Sequence, residues 1–285
     1  MWPILFHEPW AGHPVFAYGF CLGLAMVIGW NLAAHLGERR GVPFGEMNRG
    51  IVTILALALI GSRVLFVAGH PAAIETAWDW LNIRRGGLVA YGGFLGGVLG
   101  AWLAHPRGLG FLGFADVATP GVVLGTAVTR LGCFLNGCDF GVPTALPWAV
   151  RFPRDAGGLG PSPAWRQHLE QGTVLQGELV TRVSTESLPV HPTQLYEAAL
   201  ALGILAVLVL ARRRLTRDGQ AFLAFVVLYG VGRSLIELVR GDAQRGTLLG
   251  LPTSETLGLA TALVAATWLL RSTRSRSFAI EGQRR

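Results

Sequence analysis

Several charged residues occupy positions at or within long apolar runs, where a chain of this kind seldom carries charge. Arg233 and Glu237 are four residues apart and share one face of any helix that contains them. Arg130 and Arg240 lie at the ends of two apolar runs, and Arg63 lies inside a third. A guanidinium group matches the geometry of a phosphate through paired hydrogen bonds. The arginines therefore predict a site for an anionic, phosphate-bearing ligand.

A second polar cluster, His191–Glu197, directly precedes another apolar run. His191 and Glu197 are candidate acid–base groups, and Thr193 is a candidate N-cap. Tyr196 is also typical of an ordinary interfacial aromatic residue. Because the histidines show no ligand spacing, the sequence predicts no metal site and leaves a structural role for His191 open.

The arginines have structural interpretations as well. Arg233 and Glu237 could form a buried ion pair that serves only the fold. Arg130 could extend from a helix end toward the membrane interface. Arg63 has more apolar surroundings, which disfavours that second explanation for it.

The elements that position these groups are predicted to be membrane helices. The chain is 51% hydrophobic and only 14% charged, whereas soluble domains carry about 25% charged residues. Seven runs approach the roughly 20 apolar residues that cross a bilayer: residues 15–34, 51–69, 88–104, 115–134, 195–211, 222–239 and 254–270. We expect an all-α integral membrane protein with seven transmembrane helices, forming one membrane domain over residues 1–285. A small extracytoplasmic α+β head, residues 139–193, is inserted between predicted helices 4 and 5.

The distribution of arginine predicts the orientation. The net charge is +7, and every basic residue is an arginine. Loops after predicted helices 1, 3 and 5, together with the C-terminal tail, carry thirteen arginines, against four in the short segments of the other side. Positive residues stay in the cytoplasm, so the N-terminus and the head are expected outside and the C-terminus inside. Arginines placed between apolar runs favour a membrane surface over nucleic acid as the partner.

With this orientation, the polar residues of six predicted helices fall near the outer leaflet. Ionisable groups inside a membrane are costly and are functional candidates by default. The set consists of Tyr18, Arg63, Tyr91, Arg130, Asn136, Gln194, Tyr196, Glu197, Arg233, Glu237 and Arg240. The clustering in one leaflet and the lack of an inverted repeat disfavour a small-solute transporter. A phospholipid head group is the predicted anionic ligand.

The motifs that contain these residues resemble those of the prolipoprotein diacylglyceryl transferase family. His191 to Glu197 matches the family's His-Pro-[Ser/Thr]-Gln-Leu-Tyr-Glu throughout, and Arg130 to Cys138 with Gly141 resembles its signature motif. Further likeness lies in Ala17-Tyr18-Gly19, Gly61-Ser62-Arg63, the run from Gly86 to Gly93, Asp116 with Pro120 and Gly125, and Arg233-x-x-x-Glu237 with Arg240 and Asp242 to Gln244. Any one motif is weak, but their order along the chain is specific.

The resemblance implies a bacterial inner-membrane enzyme that needs no cofactor. Such an enzyme moves the diacylglyceryl group of phosphatidylglycerol to the lipobox cysteine of a prolipoprotein signal peptide. It implies that Arg130 and Arg233 hold the phosphate leaving group and that Glu237 orients Arg233. The remaining candidates for substrate binding are Tyr18, Arg63, Asn136, Gly141, His191, Gln194, Tyr196, Glu197 and Arg240.

Three positions depart from the family pattern. Tyr91 stands where the family has a histidine, Cys133 where it has an asparagine, and Cys138 where it has a glutamate. An unperturbed tyrosine has a pKa of about 10, against about 6.5 for histidine, so Tyr91 is a poorer catalytic base. A divergent, non-catalytic phospholipid-binding paralogue, or a transferase with a different acceptor, is the alternative. For Cys133 and Cys138, a disulfide, buried structural thiols and a catalytic thiol all stay open.

Overall fold

The computed structural model describes residues 3–7, 14–71, 76–80, 82, 87–155, 160–242, 247–248 and 251–282, and this part of the chain is mostly helical. The helices are α1 (Ala17–Arg39), α2 (Phe44–Gly69), α3 (Ala90–Ala104), α4 (Gly110–Asn136), α5 (Pro163–Gln171), α6 (Thr193–Ala211), α7 (Gln220–Glu237) and α8 (Thr253–Gly282), with a 3₁₀ turn at Ala77–Trp80. Three two-stranded antiparallel hairpins complete it: β1 (Ile4–His7) with β2 (Pro14–Phe16), β3 (Val174–Leu175) with β4 (Glu178–Leu179), and β5 (Thr247–Leu248) with β6 (Leu251–Pro252).

Five of the described helices are long and apolar enough to cross a membrane: α1, α2, α4, α6 and α7. Helix α3 and the stretch Gly258–Arg271 of α8 are apolar but shorter. The helices leave many large apolar side chains exposed, as expected where lipid replaces water as the solvent. The chain is thus a multi-pass helical membrane protein, and the count of seven spans stays a prediction.

Each predicted apolar run falls on a helix, but several helices are longer than the runs. Helix α2 begins at Phe44 rather than at residue 51, and α8 continues to Gly282 rather than ending at 270. Hydropathy marks only the apolar part of a helix, whereas backbone hydrogen bonding continues into polar flanking turns. Pro120 lies within α4 without ending it.

The chain divides into two compact units: Trp30–Thr119, and Met1–Gly29 with Pro120–Arg285. In the first unit, α3 packs its glycines against α2. Gly92, Gly96 and Gly100 are the buried residues of α3. A Cβ added at Gly100 would lie 2.8 Å from the Cα of Ile54. Small residues at this spacing let two helix backbones approach closely in lipid.

The second unit contains the helical core around Val123, Ala201 and Ile204, and it holds residues 139–193. In that segment the Ser162 hydroxyl accepts a hydrogen bond from the Trp165 amide and caps α5, which ends at Gly172 in the left-handed conformation. Apolar clusters around Phe152 and Trp165 fill its interior, and residues 156–159 of the segment lie outside the described part.

Candidate functional site

The C-terminus of α4 builds one wall of the site. The helix ends at Asn136, and Gly137 follows with φ +74°. The Gly137 amide donates to the Phe134 carbonyl, and the Cys138 amide donates to the Cys133 carbonyl, each over 3.2 Å. This is the Schellman pattern, which brings together the side chains of residues five apart. The helix therefore ends between the two cysteines, as their proximity requires.

The N-terminus of α6 is tied to the same turn. The Thr193 hydroxyl donates to the Asp139 carbonyl, and the Gln194 amide Nε2 donates to the Cys138 carbonyl over 2.6 Å. The predicted helix cap at Thr193 is wrong, because Pro192 occupies the N-cap position and the Thr193 hydroxyl is used across the turn. Gln194 is fully buried, and its Oε1 has no hydrogen-bond partner among the described residues.

Glu197 bridges the two arginines that the sequence singles out. Its Oε2 lies 2.7 Å from Nε of Arg130, and its Oε1 lies 3.3 Å from Nε of Arg233. Arg233 also pairs with Glu237 on the same face of α7, as the four-residue spacing predicts. The Tyr229 hydroxyl lies 3.5 Å from the Glu197 carboxylate. The side chain of Glu197 is only 1% exposed, so these partners replace its hydration.

Asp139 forms a second bridge, which the sequence did not predict. Its carboxylate lies 2.6 Å from Nη1 of Arg130 and 2.6 Å from Nη2 of Arg240. Arg240 also pairs with Asp242. The backbone of Asp139 has φ +57°, a conformation that aspartate adopts more readily than most residues. An acidic residue two positions after a helix-ending glycine was the signal available in the sequence.

The result is one connected network of three guanidinium groups, of Arg130, Arg233 and Arg240, and four carboxylates. It runs from Glu237 through Glu197 and Asp139 to Asp242. The protein already supplies the counter-charges, so an anionic ligand must compete with a carboxylate for each guanidinium. Asp139 is the easiest to displace, since 27% of its side chain is exposed, against 1% for Glu197.

Gly141 lies in the loop that follows α4, at the point where this loop meets the segment before α6. Its amide donates to the His191 carbonyl over 3.0 Å. A Cβ at this position would lie 2.5 Å from the His191 Cβ and 2.7 Å from the carbonyl oxygen of Val239. Only glycine allows backbones to approach this closely. At Gly141 this close approach is made to the protein's own backbone.

His191 and Tyr196 form a short polar chain with Trp148. The indole Nε1 of Trp148 donates to the Tyr196 hydroxyl over 2.8 Å, and this hydroxyl lies 3.2 Å from Nδ1 of His191. Because the hydroxyl accepts from Trp148, its own proton is available for Nδ1. Burial lowers the pKa of His191 below its ordinary value, which favours the neutral ring that this bond needs.

Tyr18 and Asn136 lie beside the turn that carries the cysteines. Tyr18 is in the first turn of α1, and a Cβ at Gly132 of α4 would lie 3.2 Å from its Cα. Asn136 is the last residue of α4, two residues before Cys138. Both predicted site residues therefore belong to the same unit as Arg130.

Arg63 and Tyr91 belong to the other unit. Arg63 donates to the backbone carbonyls of Asp79, Trp80 (3.0 Å) and Gly87 (2.8 Å). Tyr91 is in the first turn of α3 and is 38% exposed. Their places in a substrate site stay predictions. Gly86, Ala243 and Gln244, which complete two of the motifs, lie outside the described residues.

The three cysteines are free thiols, and two of them lie close to a carboxylate. The sulfurs of Cys133 and Cys138 and an oxygen of Asp139 all lie within 4.8 Å of one another. This trio is unfavourable for a cation, because Arg130 and Arg240 already occupy the Asp139 carboxylate and place two positive charges beside it.

Comparison with known proteins agrees with the motifs. Residues 3–271 match the family model of prolipoprotein diacylglyceryl transferase. A phosphatidylglycerol–prolipoprotein diacylglyceryl transferase of Bacillus cereus is 31% identical over 238 residues, which span 81% of this chain and 78% of that protein. Proteins of the same name from Bacillus thuringiensis subsp. konkukian and Bacillus anthracis are each 29% identical over the same shares of the two chains. The chain belongs to the prolipoprotein diacylglyceryl transferase family.

Proposed function

We propose that the chain transfers the diacylglyceryl group of phosphatidylglycerol to the thiol of a lipobox cysteine in a prolipoprotein signal peptide. The names of its relatives support this substrate pair. The observation that carries the proposal is the bridge of Glu197 between Arg130 and Arg233. It holds two guanidinium groups side by side in a helical membrane protein, where one phosphate can engage both.

The transfer exchanges one bond for another at a glyceryl carbon. The acceptor sulfur forms a C–S bond as the C–O bond to the phosphate breaks. The bonding electrons leave with glycerol phosphate, and the thiol proton passes to a base. Negative charge grows on the phosphate during this step, so preorganised arginines stabilise the transition state more than the ground state.

The roles of the arginines follow from their partners. Arg130 pairs with Asp139, whose carboxylate is easier to displace than that of Glu197. Arg130 and Arg233 both pair with Glu197. A phosphate that replaces Asp139 on Arg130 would leave Glu197 to hold both guanidinium groups in position. Glu237 keeps Arg233 oriented from the other side. Arg240 would then retain Asp242 as its counter-charge.

The remaining groups are assigned to substrate binding and support. Tyr18, Asn136, His191, Gln194 and Tyr196 lie around the same turn and the start of α6. Gly141 lets the loop close on His191. On the strength of their motifs, Arg63 is proposed as a substrate-binding residue and Tyr91 as a catalytic residue.

We also propose the membrane arrangement that this chemistry needs. Seven helices cross the bacterial inner membrane as one membrane domain, with α3 and the apolar part of α8 added to the five longer spans. The N-terminus and the head, residues 139–193, face outward, where signal peptides emerge, and the C-terminus is cytoplasmic. The substrates enter from the membrane, and no nucleic acid is involved. Nothing in the comparisons favours the non-catalytic alternative.

The test is transfer by the purified full chain in vesicles that contain phosphatidylglycerol. A synthetic lipobox peptide is the acceptor, and a peptide with serine in place of its cysteine is the control. We expect a peptide product whose mass has increased by one diacylglyceryl group, formed only with the cysteine peptide. A chain that binds phosphatidylglycerol but yields no product would support the non-catalytic paralogue.

A further inference from the structure

Two free thiols lie together where α4 ends, although they are five residues apart in the sequence. The Cys138 amide donates to the Cys133 carbonyl over 3.2 Å, and the turn through Gly137, with φ +74°, folds the chain back on the helix. The Cys138 thiol donates to the same carbonyl over 3.7 Å, so this side chain is turned toward residue 133. The two sulfurs lie within 4.8 Å of each other.

The two thiols differ in exposure in a way that suits thiol–disulfide exchange. Cys133 is buried, with only 4% of its surface exposed, whereas Cys138 is half-buried and can meet a reactant from outside the protein. Exchange proceeds through a mixed disulfide on the accessible thiol, which a neighbouring thiol then resolves. The arrangement favours Cys138 as the attacking thiol and Cys133 as the resolving thiol.

The turn that carries the thiols is connected to the guanidinium network. Nε2 of Gln194 donates to the Cys138 carbonyl over 2.6 Å, which fixes the turn from α6. The next residue, Asp139, lies 2.6 Å from Nη1 of Arg130. The same Nη1 lies 4.0 Å from the Cys133 sulfur. A covalent change at the sulfurs therefore takes place beside an arginine that is proposed to hold the phosphate.

We propose that Cys133 and Cys138 are a redox-active pair, that an oxidant carrying a disulfide bond joins them outside the cytoplasm, and that the resulting disulfide slows transfer. The proposed topology places the end of α4 at the outer face of the bacterial inner membrane, where disulfides form and persist. Formation of the disulfide rests on that topology, and its effect on the rate rests on the proposed function.

The oxidation is an exchange between two thiols and one disulfide. The Cys138 sulfur, as the thiolate, attacks one sulfur of the oxidant, and the other sulfur leaves and takes up the proton. The Cys133 sulfur then attacks the Cys138 sulfur, and the oxidant leaves as its second thiol. The two cysteines lose two hydrogens with their two electrons, and the oxidant gains them.

The disulfide acts on the site through Asp139. A phosphate engages Nη1 of Arg130 by displacing the Asp139 carboxylate, and Asp139 directly follows Cys138. A disulfide draws its two sulfurs to about 2.0 Å and restricts the positions of both Cβ atoms. Residues 133–138 then form a closed ring next to Asp139, whose backbone is already in the left-handed region. The oxidised chain should therefore keep Asp139 on Arg130 and bind phosphatidylglycerol more weakly.

The first experiment measures the thiols without any turnover. The full chain in mixed micelles of detergent and phosphatidylglycerol is treated with oxidised glutathione, then alkylated with iodoacetamide and mapped by peptide mass spectrometry. We expect Cys133 and Cys138 to escape alkylation in a peptide two hydrogens lighter than its reduced form, while Cys21 is alkylated. Dithiothreitol should reverse the change. Cys133→Ser should instead retain one glutathione on Cys138, because the resolving thiol is absent.

The second experiment measures transfer to a lipobox peptide after the oxidant or reductant has been removed, because the peptide carries a thiol of its own. The oxidised chain should transfer about 10- to 10²-fold more slowly than the reduced chain, the scale of a small misplacement in an ordered site. The loss should lie in the KM for phosphatidylglycerol rather than in kcat. Cys138→Ser should not respond to oxidant, whereas Cys21→Ser, the matched control in α1, should respond as the parent does.

The outcomes separate this inference from the proposed function. If Cys133 and Cys138 are both still alkylated after treatment with oxidised glutathione, or if the disulfide involves Cys21, the pairing is wrong. A Cys133–Cys138 disulfide that leaves the rate of an active chain unchanged would overturn its effect on transfer. A reduced chain that forms the expected disulfide but never transfers would contradict the proposed function and leave the redox-active pair in place.

Discussion

Nε of Arg130 lies 2.7 Å from Oε2 of Glu197, a carboxylate whose side chain is 1% exposed. The other oxygen of the same carboxylate lies 3.3 Å from Nε of Arg233. One buried acid from α6 therefore fixes the spacing between an arginine of α4 and an arginine of α7. Such a bridge serves both stability and function, and the two contributions can be separated by substitution.

Replacement of Glu197 by glutamine should be costly, because it leaves two buried guanidinium groups short of a counter-charge. Breaking a buried pair in this way costs about 3–5 kcal/mol. We expect Glu197→Gln to lower the unfolding free energy by that order and to reduce transfer strongly. Denaturant unfolding in detergent micelles and the transfer assay measure the two effects.

The matched control is an exposed ion pair of the head. Arg151 and Glu178 form a two-pronged bridge at 2.6 and 2.7 Å, but their side chains are 36% and 48% exposed. Exposed pairs contribute about 0–1 kcal/mol, so Glu178→Gln should change stability little. Equal losses for Glu178→Gln and Glu197→Gln would argue against a special role for the buried bridge.

Gly141→Ala tests the close approach of the loop to His191. The added methyl group would lie 2.5 Å from the His191 Cβ and 2.7 Å from two carbonyl oxygens, and backbone cannot rotate away as a side chain can. We expect a loss of about 1–3 kcal/mol together with reduced transfer. Gly203→Ala in α6, where no atom lies within 4 Å of the added methyl group, should be neutral or stabilising by about 0.5–1 kcal/mol.

The packing of the α3 glycines on α2, in the unit Trp30–Thr119, leads to a similar prediction. A methyl group at Gly96 would collide with the backbone of Leu57, whereas one at the adjacent Gly97 would make ordinary contacts at 3.8 Å. Gly96→Ala should therefore lower the thermal stability in detergent, and Gly97→Ala should not. Similar stabilities for the two variants would contradict the packing of α3 on α2.

Reporter fusions test the proposed topology. A fusion after Gly160 should report the outer side, and a fusion after Thr216 should report the cytoplasm, because the loop around Thr216 carries four arginines, at 212–214 and 217. If both fusions report the same side, the proposed orientation is wrong.

The sequence predicted the helices well because apolar runs directly reflect the lipid that surrounds them. It also predicted the contact of Arg233 with Glu237, because residues four apart in a helix lie next to each other on the same face. It could not pair Arg130 with Glu197 or Asp139, because those contacts depend on how α4 ends and where α6 begins. Asp139 was missed for the same reason, as its place between two arginines follows from a left-handed turn.

The proximity of Cys133 and Cys138 could not be predicted from the sequence either. Five residues do not place two side chains on one helical face, so proximity depends on the Schellman turn at Gly137. A glycine between the cysteines was visible in the sequence, but the helix end was not. The thiols could therefore be recognised as a pair only after the backbone of the turn was known.

The measurement closest to the central claim is phosphatidylglycerol-dependent transfer to a lipobox peptide by variants of the two bridged arginines. Arg130→Ala and Arg233→Ala should each reduce the rate by at least about 10²- to 10³-fold, the typical contribution of a preorganised group that stabilises developing charge. Arg130→Lys should stay strongly impaired, because lysine keeps the charge but lacks the two-pronged geometry. Arg151→Ala, which removes an arginine of the exposed pair, should transfer at the parent rate. Parent-like transfer by both Arg130→Ala and Arg233→Ala, with the folded protein recovered in normal yield, would contradict the account.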